Sequence, residues 1–153
     1  MKGELLEFEL PVRIDSLNRG LRQRVDNLAA IRRQRFGLVG KVKKLRTAAF
    51  MTLLAESSPF ERAWLLGAER VVITLTRIAP GTLDSEDNLH AGFKPVRDGL
   101  AGALGLDDGD DRFRWLYGQE KAGRGVYSAR VTIEGMSKAE FARRLVAREE
   151  ATA

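Results

Sequence analysis

Eight carboxylates fall between Asp84 and Asp111, and they gather at the two ends of that stretch. Asp84, Glu86 and Asp87 form one group. Asp107, Asp108, Asp110 and Asp111 form the other, with Lys94, Arg97 and Asp98 between them. Hard cations such as Mg²⁺ take oxygen ligands and keep several of their waters, so a few carboxylates from separate elements suffice to hold one against a phosphate. In phosphodiester hydrolysis such an ion activates water and neutralises charge at phosphorus, and paired ions sit about 3.5 to 4 Å apart. Two facing acid groups meet that need. The candidate ligands are Asp84, Glu86, Asp87, Asp107, Asp108 and Asp110, for Mg²⁺ or alternatively Mn²⁺. Lys94 is the candidate for holding the scissile phosphate or stabilising charge in the transition state.

Plainer readings exist for the same residues. Asp84 or Ser85 can cap a helix, with the neighbouring acids favoured at the positive end of its dipole. Asp107-Asp108-Gly109-Asp110-Asp111 is also turn chemistry, and it lacks the closing Glu of a complete EF-hand loop. Lys94 and Asp98 stand four residues apart, the spacing of an ordinary helix ion pair. His90, the single histidine, reads as a surface residue three positions after Asp87.

The charge distribution adds a second functional segment. The net charge is +5. Arg19, Arg22, Arg24, Arg32, Arg33, Arg35, Lys41, Lys43, Lys44 and Arg46 face the single acid Asp26 between Arg19 and Arg46. Such a run can be a solvated helix face; its contrast with the acidic stretch points to DNA backbone contact.

The elements that must position these groups follow from periodicity. Leu6, Phe8 and Leu10 alternate with Glu7 and Glu9, a half-buried strand that Pro11 ends or confines to an edge. Val25 to Arg35 and Val42 to Glu56 read as two helices, or one broken at Gly37 and Gly40. Ser58 and Pro59 then open a short helix over Phe60 to Leu66. Val71 to Ile78 is rich in β-branched residues and reads as a central strand. From Asp87 to Leu104 the residues Leu89, Phe93, Val96, Leu100 and Leu104 form a helical apolar stripe, with Pro95 predicting a kink or a restart near Lys94. Phe113, Trp115 and Tyr117 alternate as in a strand, with core packing as their default role. The Lys121 to Gly125 turn predicts a hairpin into a strand carrying Tyr127, Ala129, Val131 and Ile133. Ser137 and Glu140 have capping-box spacing and open a helix to about Glu149. The expected fold is α/β (α+β), a small mixed sheet of about four strands with helices packed on it.

The run Asp87-Asn88-Leu89, then Lys94 with Asp98 and Leu100, then Leu106-Asp107-Asp108, resembles the Asp-x-Asp-Asn-Leu, Lys, Asp-x-Leu and Leu-Asp-Asp signature of RusA-type Holliday-junction resolvases. Leu10-Pro11 with Ser16, Asn18 and Arg19 is similar to that family's opening strand and polar loop. The resemblance covers the first twenty residues and Val71 to about Ile133. It implies a homodimer that binds four-way DNA junctions and cuts them symmetrically with Mg²⁺ or a similar ion. Asp87 would be the second acid of the first motif, Asp108 the acid of the second, and Lys94 the lysine. Ser85 stands where the family has its first motif acid, so Asp84 or Glu86 substitutes or the site is one ligand short. Lys94 also lies about three residues later than the family pattern.

Composition sets the frame. At 153 residues, with 44% hydrophobic and 31% charged residues, the chain has the make-up of one globular domain. The absence of cysteine excludes disulfides, thiolate zinc sites and a cysteine nucleophile. No apolar run has the length of a membrane span, and the acidic N-terminus is unlike a signal peptide, so the expected setting is the cytoplasm, with no membrane partner. Three functions compete: a structure-selective, metal-dependent endonuclease; a DNA-binding protein of the same fold without catalysis; and a regulatory module in which residues 21–56 insert a helix into the major groove.

Overall fold

The structure, a computed structural model, describes the backbone of residues 5–15, 28–83 and 87–152, and the side chains of these except 28–36 and 87. Along the chain lie β1 (Leu5–Leu10), α1 (Leu28–Glu56), α2 (Pro59–Gly67), β2 (Arg70–Ala79), α3 (Asp87–Ala103), β3 (Phe113–Lys121), β4 (Ser128–Met136) and α4 (Lys138–Thr152). The strands form one mixed sheet in the order β1-β4-β2-β3. β4 runs antiparallel to both β1 and β2, whereas β3 is parallel to β2. This is the small mixed sheet with helices on it that periodicity predicts. No helix among the described residues is long and apolar enough to cross a membrane.

Alternation assigns the faces. Leu6, Phe8 and Leu10 of β1, Val71, Ile73 and Leu75 of β2, and Ala129, Val131 and Ile133 of β4 are buried on one face. α3 covers that face through Leu89, Phe93, Val96 and Leu100, and α1 adds Leu45, Ala49 and Leu53 at four-residue spacing. α2 opens as its sequence predicts: the Ser58 hydroxyl accepts from the Glu61 amide at 3.1 Å, and the Glu61 carboxylate accepts from the Ser58 amide at 2.9 Å. Ser137 likewise accepts from the Glu140 amide at the start of α4.

Three expectations are corrected. α1 is one continuous helix through Gly37 and Gly40, which are exposed. Each glycine costs a helix about 1 kcal/mol, too little to break one whose C-terminal half is locked to α3. α3 likewise does not restart at Lys94; Pro95 is buried, and its ring joins the packed side, which offsets the lost hydrogen bond. Finally, β3 and β4 form no hairpin, because β2 lies between them. The crossover through α3 brings β3 beside β2 in parallel, and residues 122–127 then step across two strand spacings, roughly 10 Å.

The α1–α3 contact is exceptionally close at Gly99, where an added Cβ would stand 2.2 Å from the Arg46 carbonyl oxygen and 2.9 Å from the Ala49 Cβ. Gly99→Ala is therefore expected to destabilise the fold by about 1–3 kcal/mol, the range for overpacking. Gly40→Ala, where a Cβ meets nothing within 4 Å, is expected to be neutral or stabilising. Urea denaturation of the two variants checks the contrast.

Candidate functional site

α3 runs back along β3, and the two elements meet in a seam of polar contacts. At one end the Gln119 side chain pairs with the backbone of Leu83, accepting from its amide and donating to its carbonyl, each at 2.8 Å. Buried Arg77 secures the same loop, donating to the Gly81 carbonyl at 2.6 Å and to the Ile14 carbonyl at 2.7 Å. β2 therefore hands the chain to the acidic segment from a fixed point. The side chain of Asp87, which begins α3, lies outside the described residues, as do Asp84, Ser85 and Glu86.

Further along α3, residues 87, 90, 94, 97 and 98 share one face at helical spacing. His90 is exposed, as expected, and stacks on Tyr117 with ring centroids 3.9 Å apart. The Tyr117 hydroxyl accepts from Arg97 at 2.9 Å. Arg97 lies over Trp115, 4.9 Å from the ring centroid, and reaches Asp108 at 3.3 Å. Trp115 donates its indole N–H to the Asp108 carbonyl at 3.0 Å. Phe113, Trp115 and Tyr117 pack against the core as expected, and the polar ends of the latter two serve the seam.

Lys94 and Asp108, fourteen positions apart in the chain, meet at 2.5 Å, and the same ammonium holds Asp98 at 2.8 Å. The helix ion pair expected from the spacing is thus formed, and the pair with Asp108 is added to it by the tertiary structure. The hydrogen bond from Lys94, reinforced by the nearby positive charges, holds the Asp108 carboxyl below its usual range against a smaller effect of burial. Lys94 is in turn pushed upward, first by its bond to Asp108. Asp108 is well covered, with 16% side-chain exposure against 52% for Lys94.

Two of the other downstream acids, Asp107 and Asp110, have structural partners. Asp107 closes a turn by accepting from the Gly109 amide at 2.9 Å. Asp110 engages Arg112 through both carboxylate oxygens and also accepts its amide. Asp108 is thus the acid of this group that meets Lys94. Among the described residues no three His, Asp or Glu side chains converge in the way a metal ion needs. Carboxylate oxygens are donors that suit a hard cation, and the hydrogen bond from Lys94 favours the ionised form of Asp108.

Of the basic candidates, Lys41, Lys43, Lys44 and Arg46 are exposed on α1, with Lys41 3.5 Å from Asp15. Arg32, Arg33 and Arg35 lie on α1, but their side chains are outside the described residues; Arg19, Arg22 and Arg24 are outside them altogether. Arg97 and Gln119 were not singled out from the sequence, and Tyr117 was assigned only to the core. Arg97 shares the helix face of Lys94, and Gln119 continues the alternation of Trp115 and Tyr117, which are the signals that would have found them. Comparison with known proteins finds no family model and no curated protein that matches this chain.

The ion pair makes a titration prediction. A depressed folded-state pKa adds stability above the unfolded value of about 3.9, and that stability is lost as pH falls through the folded value. Lys94→Met is expected to move the Asp108 midpoint upward, as followed by its carboxyl carbon shift, and to remove part of the acid-limb stability. Because Lys94 is half exposed, the loss is expected to stay near 1 kcal/mol.

Proposed function

We propose that the protein is a metal-dependent, structure-selective DNA endonuclease of the RusA type, acting on four-way junctions as a homodimer. The observation that carries this reading is the meeting of Lys94 with Asp108. These are the lysine and second-motif acid of the resemblance, and nothing local in the sequence brings them together. Asp87, Asp108 and one of Asp84 or Glu86 would hold Mg²⁺ or Mn²⁺, which when bound supplies an activated water and charge neutralisation at phosphorus. Asp108 serves as an oxygen donor ionised throughout the physiological range. Lys94 is held by Asp98 and Asp108, and release from Asp108 would free it to bind an incoming phosphate. Arg97 and Trp115 hold Asp108 in place while this happens. The exposed cations of α1 would take the DNA backbone through sequence-independent contacts that weaken with salt.

The second reading is a DNA-binding protein of this fold without catalysis, favoured by Ser85 at the first motif-acid position. A labelled four-way junction, incubated with Mg²⁺ beside a linear duplex of the same sequence, separates the two. Paired nicks in the junction alone, lost in Asp87→Asn and in Asp108→Asn with binding retained, are the expected result. Binding without a cut in either Mg²⁺ or Mn²⁺ would establish the non-catalytic reading.

A further inference from the structure

The clefts of this molecule use their arginines differently. In the groove between α2 and the start of α4, Arg143 and Arg144 are tied to Glu140, and Arg144 also to Glu134. Along β3 and α4 runs a second cleft of two lobes, about 660 and 210 Å³, the smaller of which shares the Arg144–Glu134 pair with that groove. Arg114 and Arg148 line both lobes, and both are exposed. Neither guanidinium has a hydrogen-bond or ion-pair partner among the described residues.

The cleft exists because α4 buries none of its residues. Phe141, Leu145, Arg148 and Thr152, at helical spacing, turn toward the cleft. The stripe is apolar where the helix begins and polar where it passes β3. A helix that only needed to cover the sheet would keep this stripe apolar. The cleft wraps the edge strand: Arg114 and Leu116 stand on its α4 side, and His90 stacked on Tyr117 on its α3 side. Through Tyr117, Arg97 and Asp108 this wall connects directly to Lys94.

We propose that this groove binds an unpaired stretch of DNA, with Arg114 and Arg148 taking phosphates and the His90–Tyr117 stack taking a base face. The inference rests on the nuclease reading for its substrate, and assigns the groove to nucleotides that come unpaired at the branch point. A stacking wall joined to a cationic wall is how proteins hold single strands without sequence preference. Guanidinium forks suit phosphate oxygens. The exposed cations of α1, Lys41, Lys43, Lys44 and Arg46, suit a duplex backbone instead, so the two regions divide paired from unpaired DNA. Glu149, also on the cleft wall, limits the track to a few nucleotides.

Binding of a labelled twelve-residue oligothymidine, measured by fluorescence anisotropy over a salt series in EDTA, tests this. Arg114→Gln/Arg148→Gln is expected to weaken binding at least about tenfold and to flatten the log–log salt slope by about 1.4, the release expected for two single-strand contacts. Lys43→Glu/Lys44→Glu is expected to weaken duplex binding while leaving the oligothymidine within twofold. An abasic strand of equal length is expected to bind less well than oligothymidine, with the difference reduced in His90→Ala. Unchanged affinity and slope in the arginine variant, equal loss in the lysine variant, or equal binding of the abasic strand or of polyglutamate would each overturn the proposal. Junction cleavage is scored in the same preparations. A protein that cuts junctions but ignores oligothymidine removes only the groove. One that binds oligothymidine through the arginines without cutting keeps the groove and removes the nuclease.

Discussion

The seating of α3 is the constraint on which the rest of the molecule depends. This helix must cover β2 and β4 with one stripe, lie against α1 with a second, and present a third to β3. It can do so because Gly92 and Gly99 keep two positions bare. An added Cβ at Gly92 would press on the Asp15 backbone, and one at Gly99 on that of Arg46. The same crossover makes β3 parallel to β2 and brings the Asp107–Asp111 turn to the side of the helix rather than beyond its end.

Within that frame the seam is an exercise in charge balance. Lys94 sits between Asp98 and Asp108, Arg97 between Asp108, Tyr117 and the Trp115 ring, and the buried Arg97 Nε is the one described side-chain atom of its class without a hydrogen-bond partner. One carboxylate shared by two cations stays ionised, and each cation keeps only part of its partner. The Asp110–Arg112 pair, by contrast, is closed within its own turn and serves to hold it.

Much of this was legible in the residues themselves. Strand alternation and the apolar stripe of α3 assign the buried face almost residue by residue, because burial of one face repeats at the period of the backbone. The helix caps at Ser58 and Ser137 are equally direct, since each is satisfied within a few residues. The errors share a cause. Gly37, Gly40 and Pro95 carry local costs near those of a broken helix, but packing along the same helices outweighs them. The turn after Lys121 has hairpin chemistry, and local chemistry does not say which strand will be the neighbour.

The sequence by itself determined the elements, the buried faces, and the segregation of acid from base, all of which depend on residue type and short-range spacing. Only the tertiary structure decided which acid Lys94 would meet, that Arg97, Tyr117 and Gln119 belong to the same seam, and that Arg114 and Arg148 would share a cleft. These depend on β2 standing between β3 and β4, and on α3 folding back along β3. The free energy that selects that strand order is spread over the whole core, so no short stretch of residues carries it.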